Sequence, residues 1–140
     1  MTSNGLVTCI SSFGPKETMD RLATAVASRG ISIMARIDHA AAATAIGMEL
    51  RPTEVLIFGN PRAGTPLMQA AQTIRIDLPL KALVWQDEGG TTWLAYNDPR
   101  WLAQRHSVGA GLDRGRWSRR GCEGSNGGIR IGTVARDLRF

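Results

Sequence analysis

Two apolar runs, Leu80 to Gln86 and Thr91 to Asn97, are separated only by Asp87-Glu88-Gly89-Gly90. A polar connection this short joins antiparallel neighbours, because parallel strands need a crossover of about a dozen residues or more. A hairpin is therefore built into the chain, which argues against a doubly wound parallel sheet. Ahead of it, strand and helix patterns alternate. Leu6 to Ser12 is a β-branched run ending in Phe13-Gly14-Pro15. From Pro15 to Arg29 the residues Met19, Leu22, Ala23, Val26 and Ala27 recur at helical spacing, with Pro15 suited to the first helical position and Gly30 to the position past the end. Ile31 to Asp38 alternates apolar and polar, as a half-buried strand does. Ala40 to Met48 is helical by propensity, with Asp38 or His39 as its cap and Pro52 beyond it. Thr53 to Phe58 is a further strand ended by the turn Gly59-Asn60-Pro61, after which Thr65 and Pro66 read as the cap and first residue of a short helix. Asp98-Pro99 caps a last helix that runs to His106. The expected class is α+β, a single domain with a mixed, mainly antiparallel sheet and helices packed on it.

With 140 residues, 43% of them apolar and 21% charged, the composition suits one globular core and excludes a wholly disordered or collagen-like chain. No apolar run approaches the roughly eighteen residues of a membrane span, and Met1-Thr2-Ser3-Asn4-Gly5 lacks a basic secretory start. The expectation is a soluble, cytoplasmic protein with no membrane partner. Cys9 and Cys122 form no metal-type pair and read as reduced thiols. The net charge of +5 comes mostly from the end of the chain: residues 110–140 carry seven Arg against Asp113, Glu123 and Asp137. That segment is also rich in glycine and poor in large aliphatics, so it is expected to be poorly ordered.

The run Ala35-Arg36-Ile37-Asp38-His39-Ala40-Ala41, then Glu54-Val55-Leu56-Ile57-Phe58-Gly59-Asn60-Pro61, Gly64-Thr65-Pro66-Leu67-Met68, Ile76-Asp77-Leu78-Pro79-Leu80 and Tyr96-Asn97-Asp98-Pro99 resembles the bacterial domain of unknown function 302 family, over residues 5 to about 109. The resemblance implies a small α+β domain with a topology similar to the TATA-box-binding-protein repeat, seen as a homodimer in related structures. It implies no reaction, and a shared fold does not transfer DNA binding. After Val108-Gly109 the chain departs from the family, which continues into an amphipathic closing helix; a shifted reading frame near codon 110 would produce such a tail.

The densest polar cluster is Arg36, Asp38 and His39, with Asn60, Thr65 and Asp77 on loops expected near one edge of the sheet. Arg36 and Asp38 are two apart on a strand and share a face, so a structural ion pair with a helix cap accounts for them. The same set is a candidate site for a small polar or anionic ligand, with His39 titrating near neutral pH. The loop from Gly59 to Pro66 enters a helix start, yet it has neither GxGxxG nor GxxxxGK[ST], so no nucleotide cofactor is expected. No metal is expected either, since His39, His106, Asp38, Asp77 and Cys9 show no ligand-type spacing. Trp85 and Trp93 fall on the hairpin strands, where core or dimer surface is favoured over a base-stacking platform.

Three functions are compatible with these residues. The first is a homodimeric module that binds a small polar or anionic ligand at Arg36, Asp38, His39, Asn60, Thr65 and Asp77. The second is a small enzyme with His39 as acid or base and Arg36 as anion anchor, disfavoured because no partnered nucleophile is visible. The third is unspecific nucleic-acid binding through the Arg-rich tail.

Overall fold

The computed structural model describes residues 4–108 together with Ile131 and Val134. Five strands, β1 (Leu6–Ser11), β2 (Ser32–Asp38), β3 (Thr53–Gly59), β4 (Leu80–Gln86) and β5 (Thr92–Asn97), form one sheet in the order β1-β5-β4-β3-β2. Four helices are interspersed: α1 (Pro15–Ala27), α2 (His39–Ala45), α3 (Pro61–Ala70) and α4 (Pro99–Arg105), with a 3-10 turn at Gln72–Ile76. The α+β expectation holds, and the sheet goes further than a mixed one, since every strand pairing is antiparallel. The Asp87 to Gly90 connection forms the β4–β5 hairpin, with Trp85 directly opposite Trp93.

Alternation along the strands divides the sheet into two faces. One face holds the core. Leu56 and Phe58 from β3, Leu80, Ala82 and Val84 from β4, and Leu94 and Tyr96 from β5 pack against Met19, Leu22 and Val26 of α1 and Leu102 of α4. Of the α1 residues picked out by helical spacing, Met19, Leu22 and Val26 are buried, Ala23 is partly buried and Ala27 is exposed, while Thr18 joins the buried set. The Thr18 hydroxyl meets Ser11 at 2.7 Å, so two buried polar groups satisfy each other while tying α1 to β1. Cys9 lies in the same core and is disulfide-bonded, which corrects the reading of it as a reduced thiol.

On the opposite face no helix of the described residues is packed. A row of register partners crosses all five strands there: Thr8, Ala95, Leu83, Val55 and Ile37. A second row runs Ile10, Trp93, Trp85 and Thr53, its two indole rings stacked with centroids 6.1 Å apart.

Two helices differ from expectation. α2 begins at His39, capped by the Asp38 carboxylate accepting from the Ala41 N–H at 2.8 Å, and ends at Ala45, short of Met48. α3 begins at Pro61, with Asn60 as the cap accepting from the Arg62 N–H at 3.0 Å, so Thr65 is not the cap and Pro66 lies inside the helix. Asn60-Pro61 is itself a cap followed by a first-position proline. It was masked by Gly64 and Pro66, which normally mark a helix boundary but here interrupt only one turn. The expected disorder of residues 110–140 lies outside the described residues, apart from Ile131 and Val134. Those two are helical and buried against the α1 side of the sheet.

Candidate functional site

The six polar residues singled out in the sequence go to four places. Arg36, on β2, points away from Asp38 in bonding terms: its Nε and Nη2 donate to the two Glu54 carboxylate oxygens at 2.9 and 3.1 Å, and its Nη1 donates to Asp20 at 2.7 Å. The bidentate contact holds edge strand β2 to β3, and the Asp20 contact ties it to α1. The Glu54 hydrogen bonds raise the Arg36 pKa above its ordinary value, Asp20 adds to this and burial opposes it. Asp20 is held below the usual carboxylate value, by its hydrogen bonds to Lys16 first and Arg36 second. Arg36, Asp38 and Glu54 border a cleft of about 370 Å³ between α1, α2 and β3, where Arg36 is engaged with Glu54, Asp38 with a helix end, and the second lining cation, Lys16, with Asp20. His39 is exposed at the start of α2 and lines neither this cleft nor the cavity described below.

Asp77 sits after the 3-10 turn, far along the chain from its partners. Its carboxylate accepts from Arg105 Nη1 at 2.9 and 3.0 Å, and its Oδ2 meets His106 Nε2 at 2.5 Å. The other ring nitrogen, Nδ1, is 2.9 Å from the Thr73 hydroxyl. His106 is 6% exposed and Asp77 12%. With both ring nitrogens occupied, the group clasps the 3-10 turn to the end of α4. The sequence offered His106 only as a metal candidate, and the contact could not have been read from a separation of 29 residues. Among the described residues no group of three or more His, Cys, Asp or Glu side chains could hold a metal ion.

Asn60 and Thr65 line a different space, a cavity of about 410 Å³ between the end of α1, β2, β3, the first turns of α3 and the start of β4. That volume falls within the roughly 300–1,000 Å³ of small-molecule sites. Its walls are mostly apolar: Ile31, Met34, Phe58, Met68, Leu78 and Leu80. Its polar lining side chains are Asn60, Thr65 and Arg29, the last being the single charged residue of the lining. The fold explains why an opening persists here. Gly64 presents no side chain to it, and a Cβ there would reach only ordinary contact, 3.8 Å from Met68 Cε and 3.9 Å from Leu78 Cδ1. The bulge between Ile33 and Ala35 leaves Met34 about half exposed at the rim. Arg29, Ile31 and Met34 were not seen as site residues, because their convergence depends on that bulge and on α3 starting at Pro61.

With this geometry in place, comparison with known proteins sets the family. Residues 7–114 match the family described as "Domain of unknown function DUF302". The chain belongs to the DUF302 family. Its fold is shared with an uncharacterised conserved DUF302 protein from Bacillus stearothermophilus, at a TM-score of 0.68 and 19% identity, covering 96% of this chain and 89% of that one. Over 110 residues it is 50% identical to the fluoride-specific ion channel FluC 1 of Brucella suis biovar 1, which is 79% of this chain and 43% of the Brucella protein. The same identity and length of match hold for FluC 1 of Brucella abortus biovar 1, 41% of which is covered. The chain thus spans less than half the length of these curated relatives. No helix among the described residues of this DUF302 chain is long and apolar enough to cross a membrane.

Proposed function

We propose that this DUF302 chain is a homodimeric binding module for a small amphipathic molecule, with the cavity beside α3 as its site. The observation that carries the reading is the 410 Å³ cavity itself, whose largely apolar wall is interrupted by Asn60, Thr65 and Arg29. An apolar body suits such a wall, and a polar or anionic end suits those three side chains. The polar cluster around Arg36 and Asp38 lies outside this cavity, and its guanidinium and its cap are engaged within the fold. An acid–base role for His39 gains no support from its exposed position outside both spaces.

The test is thermal stabilisation by octanoate, with octylamine as the opposite-charge control and Gly64→Leu as the variant that fills the cavity. Stabilisation of the native protein by octanoate, weaker with octylamine and lost in Gly64→Leu, is expected, because a ligand that binds only the folded state raises its stability. Equal response of native protein and Gly64→Leu contradicts the site.

A second reading is favoured by the Brucella relatives, in which the matched region is part of a longer chain named as a fluoride-specific ion channel. On that reading the domain works beside a channel. Co-purification of this chain with such a channel from cells expressing both supports it, and clean separation of the two argues against it.

A further inference from the structure

The face of the sheet away from α1 is mostly apolar, with Thr8, Thr53 and Lys81 among its polar members, and carries no helix of the described residues. Among its outward-pointing strand residues the charged one is Lys81, opposite Ile57. Ile10 is 46% exposed and Ile37 39%, while Trp85, Trp93, Val55 and Leu83 between them are half-buried by one another. Beside the Trp85 end, the segment from α2 into Thr53 projects Ile46, Met48 and Leu50, which are 74%, 62% and 49% exposed. Aliphatic side chains this exposed on an ordered connection, next to an open apolar sheet face, are uncommon on a monomer.

We infer that this outer face, together with the Ile46 to Leu50 arm, is the surface on which a second copy of this chain docks. The inference rests on the homodimer reading above and adds the place and mode of contact. Size is the first argument. Five strands at about 4.8 Å and six residues at about 3.3 Å give a face of roughly 24 by 20 Å. That is about 480 Å² in projection, and the arm brings it toward the roughly 800 Å² per partner that a stable complex buries. Charge is the second argument. A face with a single lysine offers little to a phosphate backbone, and the indole N–H of Trp93 is already committed to Asp87 Oδ2 at 2.8 Å, so a nucleic acid fits poorly. A mostly apolar patch whose one charged strand residue is Lys81 can be complementary to itself, as a two-fold interface requires. The stacked Trp85 and Trp93 pair has the composition of an interface anchor. Ile131 and Val134, described beyond residue 108, pack on the α1 side and not on this face.

The experiment is sedimentation equilibrium of the full chain at tens of micromolar, native and as Leu83→Arg and Trp85→Glu. The expected result is a native dimer and two monomeric variants that keep the native circular dichroism and the octanoate response. A native dimer that persists in both variants overturns the docking surface and leaves the homodimer reading standing. A native monomer overturns both. Should the variants fail to fold, residue-resolved hydroxyl-radical footprinting of the native protein decides instead. Trp85 and Trp93 gain reactivity on dilution if the inference holds, and unchanged reactivity across the dissociation overturns it. Retention of single-stranded DNA that is lost in Trp85→Glu would replace the second copy with a nucleic acid.

Discussion

Replacing Arg36 with alanine separates a ligand anchor from a structural clamp. In the structure the guanidinium makes two hydrogen bonds to Glu54, whose side chain is only 18% exposed, while that of Arg36 is 31% exposed. A hydrogen bond to a charged group contributes about 1.5–3 kcal/mol, and removing one partner leaves the other with its desolvation cost. Partial solvent access to both side chains brings the total to about 2 kcal/mol. Nothing is added for the contact to the exposed Asp20. β2 has no fully buried residue to compensate, so the loss falls on the attachment of the edge strand. Urea unfolding at neutral pH should show Arg36→Ala destabilised by about 2 kcal/mol, which for a domain of this size lowers Tm by roughly 8 °C. A double-mutant cycle with Glu54→Gln should return a coupling energy of about 1–2 kcal/mol. The octanoate response should survive, because Arg36 does not line the cavity. A stability change under about 0.5 kcal/mol, or an octanoate response abolished in a normally stable Arg36→Ala, would refute the clamp.

Three further outcomes follow from the same structure. Asp87 accepts from Trp93 Nε1, Thr91 N and Gly89 N, and these bonds, the tryptophan one foremost, hold its carboxyl below the ordinary 3.8. Its folded pKa therefore lies under the unfolded one, so its contribution is present above about pH 4 and is lost as pH falls through the folded value; Asp87→Asn should be the less stable protein at pH 7, with the gap closing on acidification, and a gap independent of pH would contradict this. His106→Ala removes a buried ring that satisfies Asp77 and Thr73, and should cost about 1–3 kcal/mol in chemical denaturation, a loss below about 0.5 kcal/mol showing that the clasp contributes little. Gly64→Ala places a methyl at ordinary contact distance inside α3 and should raise stability by about 0.5–1 kcal/mol, whereas a destabilised variant would mean that the space beside α3 is tighter than described.

Local signals in the sequence were strong enough for the elements and for several caps. The four-residue connection at Asp87 to Gly90 did give a hairpin, Asp38 and Asp98 did cap the helices that follow them, and Pro15 does open α1. The site was less legible, for reasons of distance along the chain. Arg36 and Asp38 share a strand, which made them look like a pair, but the closer electrostatic match for Arg36 is Glu54 on the neighbouring strand, 18 residues away. Asp77 and His106 meet only because α4 folds back onto the 3-10 turn. The cavity was the hardest feature to see, since it is defined by what is missing: a side chain at Gly64 and regular pairing at the Ile33 to Ala35 bulge. Gly64 and Pro66 also concealed the true start of α3, although Asn60-Pro61 carried the signal for it.

The outer face was partly legible as well. Trp85 and Trp93 could be placed opposite each other from the hairpin alone. What alternation could not supply was which strands flank them, and the order β1-β5-β4-β3-β2 brings Ile10 to one side and Thr53 to the other.

The most direct test of the cavity as a binding site is a crystal structure of the full chain grown with octanoate. Density for the alkyl chain between Phe58, Met68 and Leu80, with the carboxylate turned toward Asn60, Thr65 or Arg29, is the predicted result. An empty cavity at saturating octanoate, or the ligand seated in the Arg36 cleft instead, would contradict the account.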